Sequence, residues 1–207
     1  MNLVNMHFLT SWDDGNILDL KVATLLQKYN LPGTFYIVGD WIGKKDYLTW
    51  PDVRELDQAG FEIGSHTMSH PQDLKALYDD QLQYEIQTSK EMIETVLGHP
   101  IKSFCYPRGR YDQRVIDQVI KAGYVEARTT KVLVDYLDMG YDKLQTPTTI
   151  HVFERSEYKD KSWFGLAKLM LDSSKYFHLF GHSWEVEKYN QWDRLEEFFD
   201  YVKNSNT

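Results

Sequence analysis

Residues 7–38 read HFLTSWDDGNILDLKVATLLQKYNLPGTFYIV, and their reading decides the fold. An apolar run, His7–Trp12, stops abruptly at two carboxylates and a glycine, Asp13-Asp14-Gly15. A segment with apolar residues three and four apart follows (Leu18–Tyr29), and beyond Leu31-Pro32 a second apolar run begins, Gly33–Val38. Short run, polar loop, helix-period segment, short run is the pattern of a βαβ unit, whose two strands lie parallel. Working outward, the alternation continues to the end of the chain. Further runs fall at Phe61–Ser65, Ser103–Tyr106, Tyr124–Ala127, Thr148–Val152 and Tyr176–Phe180. Helical periodicity marks Asp52–Ala59, Gln81–Leu97, Gln113–Ala122, Ser162–Ser173 and Trp192–Val202, while Thr129–Pro147 reads mostly as loop. The predicted class is α/β, a distorted, short (β/α) barrel of about seven units, because a full eight-unit barrel takes about 250 residues and this chain has 207. No G-x-G-x-x-G turn follows the first run and no P-loop occurs, which argues against a dinucleotide-binding sheet. No repeat or Gly/Ser/Pro-rich linker divides the chain, so residues 1–207 are expected to form one domain.

Composition narrows the function. With 23 Lys plus Arg against 31 Asp plus Glu, the net charge is −8, which argues against a nucleic-acid footprint. No apolar stretch is long enough to span a bilayer. The start, Met1 to Asp14, lacks a basic segment followed by an apolar core, so the expectation is a cytoplasmic protein without a membrane partner. Cys105 is the only cysteine, which excludes an intrachain disulfide and a thiolate metal cluster. Six Trp, 14 Tyr and 10 Phe could stack on sugars as well as fill a core. Oligomeric state is not legible.

In parallel α/β folds the chemistry gathers where strands end. Asp13-Asp14-Gly15 follows the first run, Ser65-His66-Thr67-Met68-Ser69-His70-Pro71 the third, Tyr106-Pro107-Arg108-Gly109-Arg110-Tyr111 the fourth, Arg128 the fifth and Gly181-His182-Ser183-Trp184-Glu185 the last. Asp13 and Asp14 could cap the helix that follows, or one could be held ionised by a cation. His66 and His70 stand four apart, which on one helical turn would put both imidazoles on one side. Two histidines and a carboxylate that leave a position open are the donor set of a catalytic zinc site. His182, at the end of the last strand and expected opposite the first, would supply the proton donor such a site lacks. His7, His99, His151 and His178 read as structural.

The order S-W-D-D-G, H-T-M-S-H-P, Y-P-R-G-R-Y, F-G-H resembles that of the NodB-type polysaccharide deacetylases, carbohydrate esterase family 4, from Phe8 to about Glu185. Leu31–Tyr36 resembles the family's "PATFF" strand, and Ala59–His66 its "GHEIGNH" run. The resemblance implies a barrel of about seven units and hydrolytic removal of acetyl groups from N- or O-acetylated sugars, so the expected partner is an acetylated saccharide. It matches Asp13 to the catalytic base, Asp14, His66 and His70 to the ligands of a divalent ion with Zn2+ foremost, and His182 to the general acid. A backbone N–H after Pro107 would face the oxyanion, with Arg108 in the same substrate-contacting loop, and Tyr106 and Trp184 would be either sugar-stacking walls or barrel packing.

Two departures stand out. Aligning the third motif on Gly109 puts Cys105 where the family carries the arginine that steadies the base. Arg128 ends the neighbouring strand on the same face, so an Arg128–Asp13 ion pair is expected, with Arg108 and Arg110 the alternatives. The fourth motif, in the family an Asp and Trp that line the pocket and tune the acid, has no clear match in Glu126–Asp135. Two other readings stay open: a metal-free amide or cyclic-ureide hydrolase on this fold, and a non-catalytic carbohydrate-binding barrel.

Overall fold

The computed structural model describes residues 7–133, 142–173 and 176–205. Residues 134–141, within the segment expected to be loop and overlapping the stretch searched for a fourth motif, lie outside the described residues. Among the latter, seven strands form one sheet: β1 (His7–Asp14), β2 (Thr34–Ile37), β3 (Glu62–Ser65), β4 (Ser103–Cys105), β5 (Glu126–Arg128), β6 (Ile150–His151) and β7 (Tyr176–Gly181). All pair in parallel, in the order β5-β4-β3-β2-β1-β7-β6. The last strand therefore lies beside the first, with His7 level with Tyr176 and Trp12 with Gly181, rather than opposite it as the sequence had suggested. The two edges approach each other through Thr146–Thr149. Thr129 N–H donates to Thr146 O (2.8 Å) on the β5 side, and Thr149 N–H to His178 O (2.9 Å) on the other. The result is the distorted, short (β/α) barrel expected from the alternation.

Helices wrap the outside: α1 (Asp19–Tyr29), α2 (Trp50–Gln58), α3 (Asp79–Gln83), α4 (Ser89–Leu97), α5 (Gln113–Lys121), α6 (Trp163–Ser173), α7 (Ser183–Lys188) and α8 (Trp192–Ser205). Local chemistry sets their ends. Asn30, in left-handed conformation (φ 55°), stops α1 just before Leu31-Pro32. Thr49 and Asp52 form a reciprocal capping box on α2, and Asp112 accepts from Val115 N at the start of α5. The pattern over Gln81–Leu97 conceals a break: α3 and α4 are joined by a π turn, Tyr84–Thr88. None of the helices among the described residues is long and apolar enough to cross a membrane.

The period-two alternation of a strand sorts side chains into two environments. Trp12, Phe35, Ile37, Ile63, Phe104, Ala127, Phe177 and Leu179 point to the helices and form the core with Val22, Leu26, Val119 and Phe198. The alternate positions, Ser11, Asp13, Tyr36, Ser103, Cys105, Arg128 and His178, meet one another inside the barrel. That interior is polar, and most of its groups pair with one another, Arg128 Nε being left without a hydrogen-bond partner. Ser11 Oγ bonds His178 Nε2 (2.8 Å), Tyr36 Oη bonds Ser103 Oγ (2.6 Å), and Tyr176 Oη bonds His178 Nδ1 (3.1 Å). Gly64 makes room for the Tyr36 ring, since a Cβ there would meet it at 2.5 Å.

Candidate active site

At the C-terminal ends of the strands the polar interior opens into a cavity of about 300 Å3, lined by Asp13, Asp14, His66, His70, Arg108, Thr130, Arg155, Phe180, His182 and Trp184. Asp13 lines it from the end of β1, and Arg128, at the end of β5, meets Asp13 beneath the cavity. Arg128 Nη2 donates to both Asp13 carboxylate oxygens, both side chains being buried. This is the ion pair expected from the two strand ends. Burial alone would raise the Asp13 pKa, but the Arg128 guanidinium and the neighbouring His66 and His182 outweigh it and hold the carboxyl well below the usual range. Cys105, at the position of the absent arginine, lies beneath: Arg128 Nη2 contacts its sulfur at 2.8 Å, and burial pushes the thiol pKa well up. Arg110 turns away to Gln72 O (3.2 Å), whereas Arg108 stays at the cavity wall in left-handed conformation (φ 57°).

Asp14 and the two histidines form a second cluster. Asp14 Oδ1 lies 3.9 Å from His66 Nε2 and 3.8 Å from His70 Nε2, and the imidazole centroids are 4.8 Å apart. The histidines do not share a helical turn, contrary to the expectation from their spacing. Residues 66–70 form a loop in which Thr67 and His70 both take positive φ (71° and 57°), and this reversal turns the second ring back to the first. Glu85, in the π turn, holds that loop: its carboxylate accepts from Ser69 N (2.9 Å) and Ser69 Oγ (2.5 Å), and its backbone O from Met68 N (3.2 Å). π turns recur at functional sites for this kind of reason, but helical periodicity carries no signal for one.

The donors suit a divalent cation. Burial pushes His66 down to about 4 and lowers His70, so both imidazoles are neutral at neutral pH, as ligands must be. His66 Nδ1 is engaged by Cys105 O (2.8 Å), which assigns the proton to that nitrogen and leaves the Nε2 lone pair free toward the cluster. Asp14 Oδ1 is buried with no hydrogen-bond partner, an orphaned acceptor that a cation would satisfy. Asp14 Oδ2 is occupied, accepting from Trp184 Nε1 at 3.2 Å.

His182 stands across the cavity at the start of α7, its Nε2 3.9 Å from Asp14 Oδ2 and its Nδ1 2.6 Å from Glu185 Oε2. Burial would depress its pKa, but the Glu185 hydrogen bond and the Asp14 and Asp13 carboxylates push it up to about 9. Glu185 itself falls to about 2: burial raises it, and His151 and His182 more than compensate. Of the residues expected to touch substrate, Arg108 and Trp184 line the cavity, Trp184 with its indole nitrogen committed to Asp14. Tyr106 does not. It is wholly buried in the core, stacked on Tyr111 at 4.4 Å with its hydroxyl donating to Leu144 O (2.9 Å), so its place as a sugar-stacking wall is corrected to packing. Pro107 is also buried, outside the cavity lining, and acts as the turn that presents Arg108. Glu85, Glu185 and His151 contact residues of this cluster or of the loop that carries it; the sequence reading took His151 as structural and gave Glu85 and Glu185 no role.

A parallel half-barrel whose C-terminal mouth joins an Asp-His-His donor set to a buried Asp–Arg pair and an imidazole defines a recognisable class of barrel. The profile described as polysaccharide deacetylase matches residues 6–127, and the chain belongs to that family. Bacillus subtilis YxkH is 32% identical over 133 residues, 64% of this chain and 47% of YxkH. A peptidoglycan-N-acetylglucosamine deacetylase of Bacillus cereus is 30% identical over 104 residues, 50% of this chain and 46% of that protein. The chain thus spans about half the length of the curated relatives it matches. Over 97% of its own length and 61% of the other's, it superimposes with a TM-score of 0.67 on a CE4 family pseudoenzyme from Bacillus anthracis; at 16% identity that likeness concerns the fold alone.

Proposed function

We propose that the chain is a metal-dependent hydrolase that removes acetyl groups from N-acetylated sugars of an oligosaccharide or polysaccharide, with residues 1–207 acting as one catalytic domain. The observation that carries the reading is the convergence on one cavity of an open cation-donor set (Asp14, His66, His70), an ionised carboxylate (Asp13) and an imidazole (His182) on its far side. Membership of the polysaccharide deacetylase family supports it. The Bacillus cereus relative named for peptidoglycan N-acetylglucosamine favours an N-acetylglucosamine-containing glycan.

Asp14, His66 and His70 would hold a divalent ion, which we assign as Zn2+, and when bound it would supply Lewis acidity toward the acetyl carbonyl and water. The chain does the rest. Asp13 accepts the proton of the attacking water. Its low pKa makes it a weak base, but one that is ionised at every physiological pH and aimed by Arg128. His182 Nε2 then delivers a proton to the departing nitrogen, because an amine cannot leave an amide as a bare anion. Arg108 and Trp184 form walls against which the sugar rests. The metal-free reading leaves the orphaned Asp14 oxygen, the buried His66 imidazole and the half-buried His70 imidazole without a purpose. The binding-only reading drew its strength from the absent arginine, whose charge Arg128 provides.

The test is acetate release from N-acetylglucosamine oligomers, peptidoglycan fragments and acetylated xylan, with and without chelator. Release from the N-acetylated substrates that stops with chelator and returns with Zn2+ is expected. Release untouched by chelator, or none from any substrate, overturns the reading.

A further inference from the structure

Oε2 of Glu185 is shared by two imidazoles, His182 Nδ1 at 2.6 Å and His151 Nε2 at 3.2 Å. The three residues come from different elements: His151 ends the edge strand β6, His182 follows β7, and Glu185 lies in the first turn of α7. His151 is buried edge-on against Phe180 (centroids 4.7 Å apart), and its Nδ1 has no partner. A neutral imidazole has one N–H; here it goes to Glu185, and the bare nitrogen can face an apolar ring.

A carboxylate on Nδ1 fixes the ring plane of a histidine and leaves Nε2 as the working nitrogen. In His182 that nitrogen faces the cavity, 3.9 Å from Asp14 Oδ2. We propose that Glu185 is the positioning residue of His182 and that His151 in turn holds Glu185, so that β6 braces the proton donor from behind. The inference rests on the deacetylase reading, in which His182 protonates the leaving nitrogen. The same three residues could be read as a second cation site, since their donor atoms lie within 4.8 Å of one another. The spacing argues otherwise: two donors each about 2.0–2.2 Å from a tetrahedral ion lie roughly 3.3 Å apart. The 2.6 Å between His182 and Glu185 fits a proton between them.

The experiment compares two substrates on the zinc-loaded protein. One is an N-acetylglucosamine oligomer, whose amine must be protonated to leave; the other is para-nitrophenyl acetate, whose phenolate leaves without help. Glu185→Ala should lower kcat on the oligomer by about 10–100-fold, the order of loss when the outer-shell partner of a metal-bound histidine is removed. KM, zinc content and the rate on the aryl acetate should not change. Glu185→Gln, whose amide oxygen still accepts from Nδ1–H, should recover part of the loss, and His151→Ala should give a smaller loss on the oligomer alone. Equal losses on both substrates, no loss on the oligomer, or release of a second equivalent of zinc overturns the inference and leaves the deacetylase reading intact. A wild-type protein inert on the oligomer overturns that reading and the inference together.

Discussion

Arg128 Nη2 touches both oxygens of Asp13 and the sulfur of Cys105, so side chains from β1, β4 and β5 share one buried spot. The small thiol leaves the volume in which the guanidinium lies, and the charge a larger residue would have brought along β4 arrives along β5 instead. Removing one partner of a buried ion pair strands the other, at a cost of about 3–5 kcal/mol. Arg128→Ala is therefore expected to lower unfolding stability by that order in denaturant titration. Cys105→Arg in the same chain should restore most of it, whereas Cys105→Arg alone should destabilise by crowding two guanidinium groups. If the double variant is no better than Arg128→Ala, the two positions are not interchangeable sources of the charge. Under the proposed function the adjacent carboxylates divide the remaining work. Asp13→Asn should cut turnover by about 10²–10⁴-fold, the worth of a general base, with bound metal retained, and Asp14→Asn should release the metal. Metal analysis showing the reverse would exchange their roles.

At the scale of elements, the decisive piece is the junction of α3 and α4. The π turn brings the Glu85 carboxylate over Ser69 in the loop that carries His66 and His70. Glu85→Ala should leave the fold intact and weaken metal binding by about 10–100-fold, as losses of outer-shell partners do, measured by competition with a chromophoric chelator. Unchanged affinity would mean that the left-handed turns at Thr67 and His70 hold the loop alone. The histidine spacing was legible in the sequence, but its geometry was not. Four residues apart suits a helical turn equally well, and the positive φ that decides between them is a property of the packed loop, where Gly39 N–H donates to Thr67 O at 3.0 Å and Asp40 N–H to Met68 O at 2.8 Å.

Across the whole molecule, one contact ties the first helix to the helix behind His182. Ser183 Oγ donates to Asp19 Oδ1 at 2.5 Å, both residues are fully buried, and Asp19 Oδ2 has no partner. Burial raises the Asp19 pKa well above its ordinary 3.8, Ser183 opposing and Asp14 and Asp13 adding to it. A carboxyl whose folded pKa is raised stabilises the fold fully below the unfolded value and loses that contribution as pH rises through the folded one. Asp19→Asn keeps the acceptor for Ser183 and removes the titration. Relative to wild type it should gain stability from pH 4 to pH 8, the melting temperature shifting by about 2–4 °C per kcal/mol for a chain of this size. A gap between the two proteins that does not change with pH would show that Asp19 does not titrate in that range. The sequence by itself determined the alternation of strands and helices and the strand ends at which Asp13, Asp14, His66, Arg128 and His182 stand, with His70 four residues beyond His66, because period-two and period-3.6 patterns and side-chain type are local properties. Only the tertiary structure decided that β7 lies beside β1, that Tyr106 is core, that Glu85 holds the His66–His70 loop, and that Glu185 lies between His151 and His182. Each of these depends on which residues far apart in the chain are packed together, and burial and hydrogen-bond partnership exist only once they are.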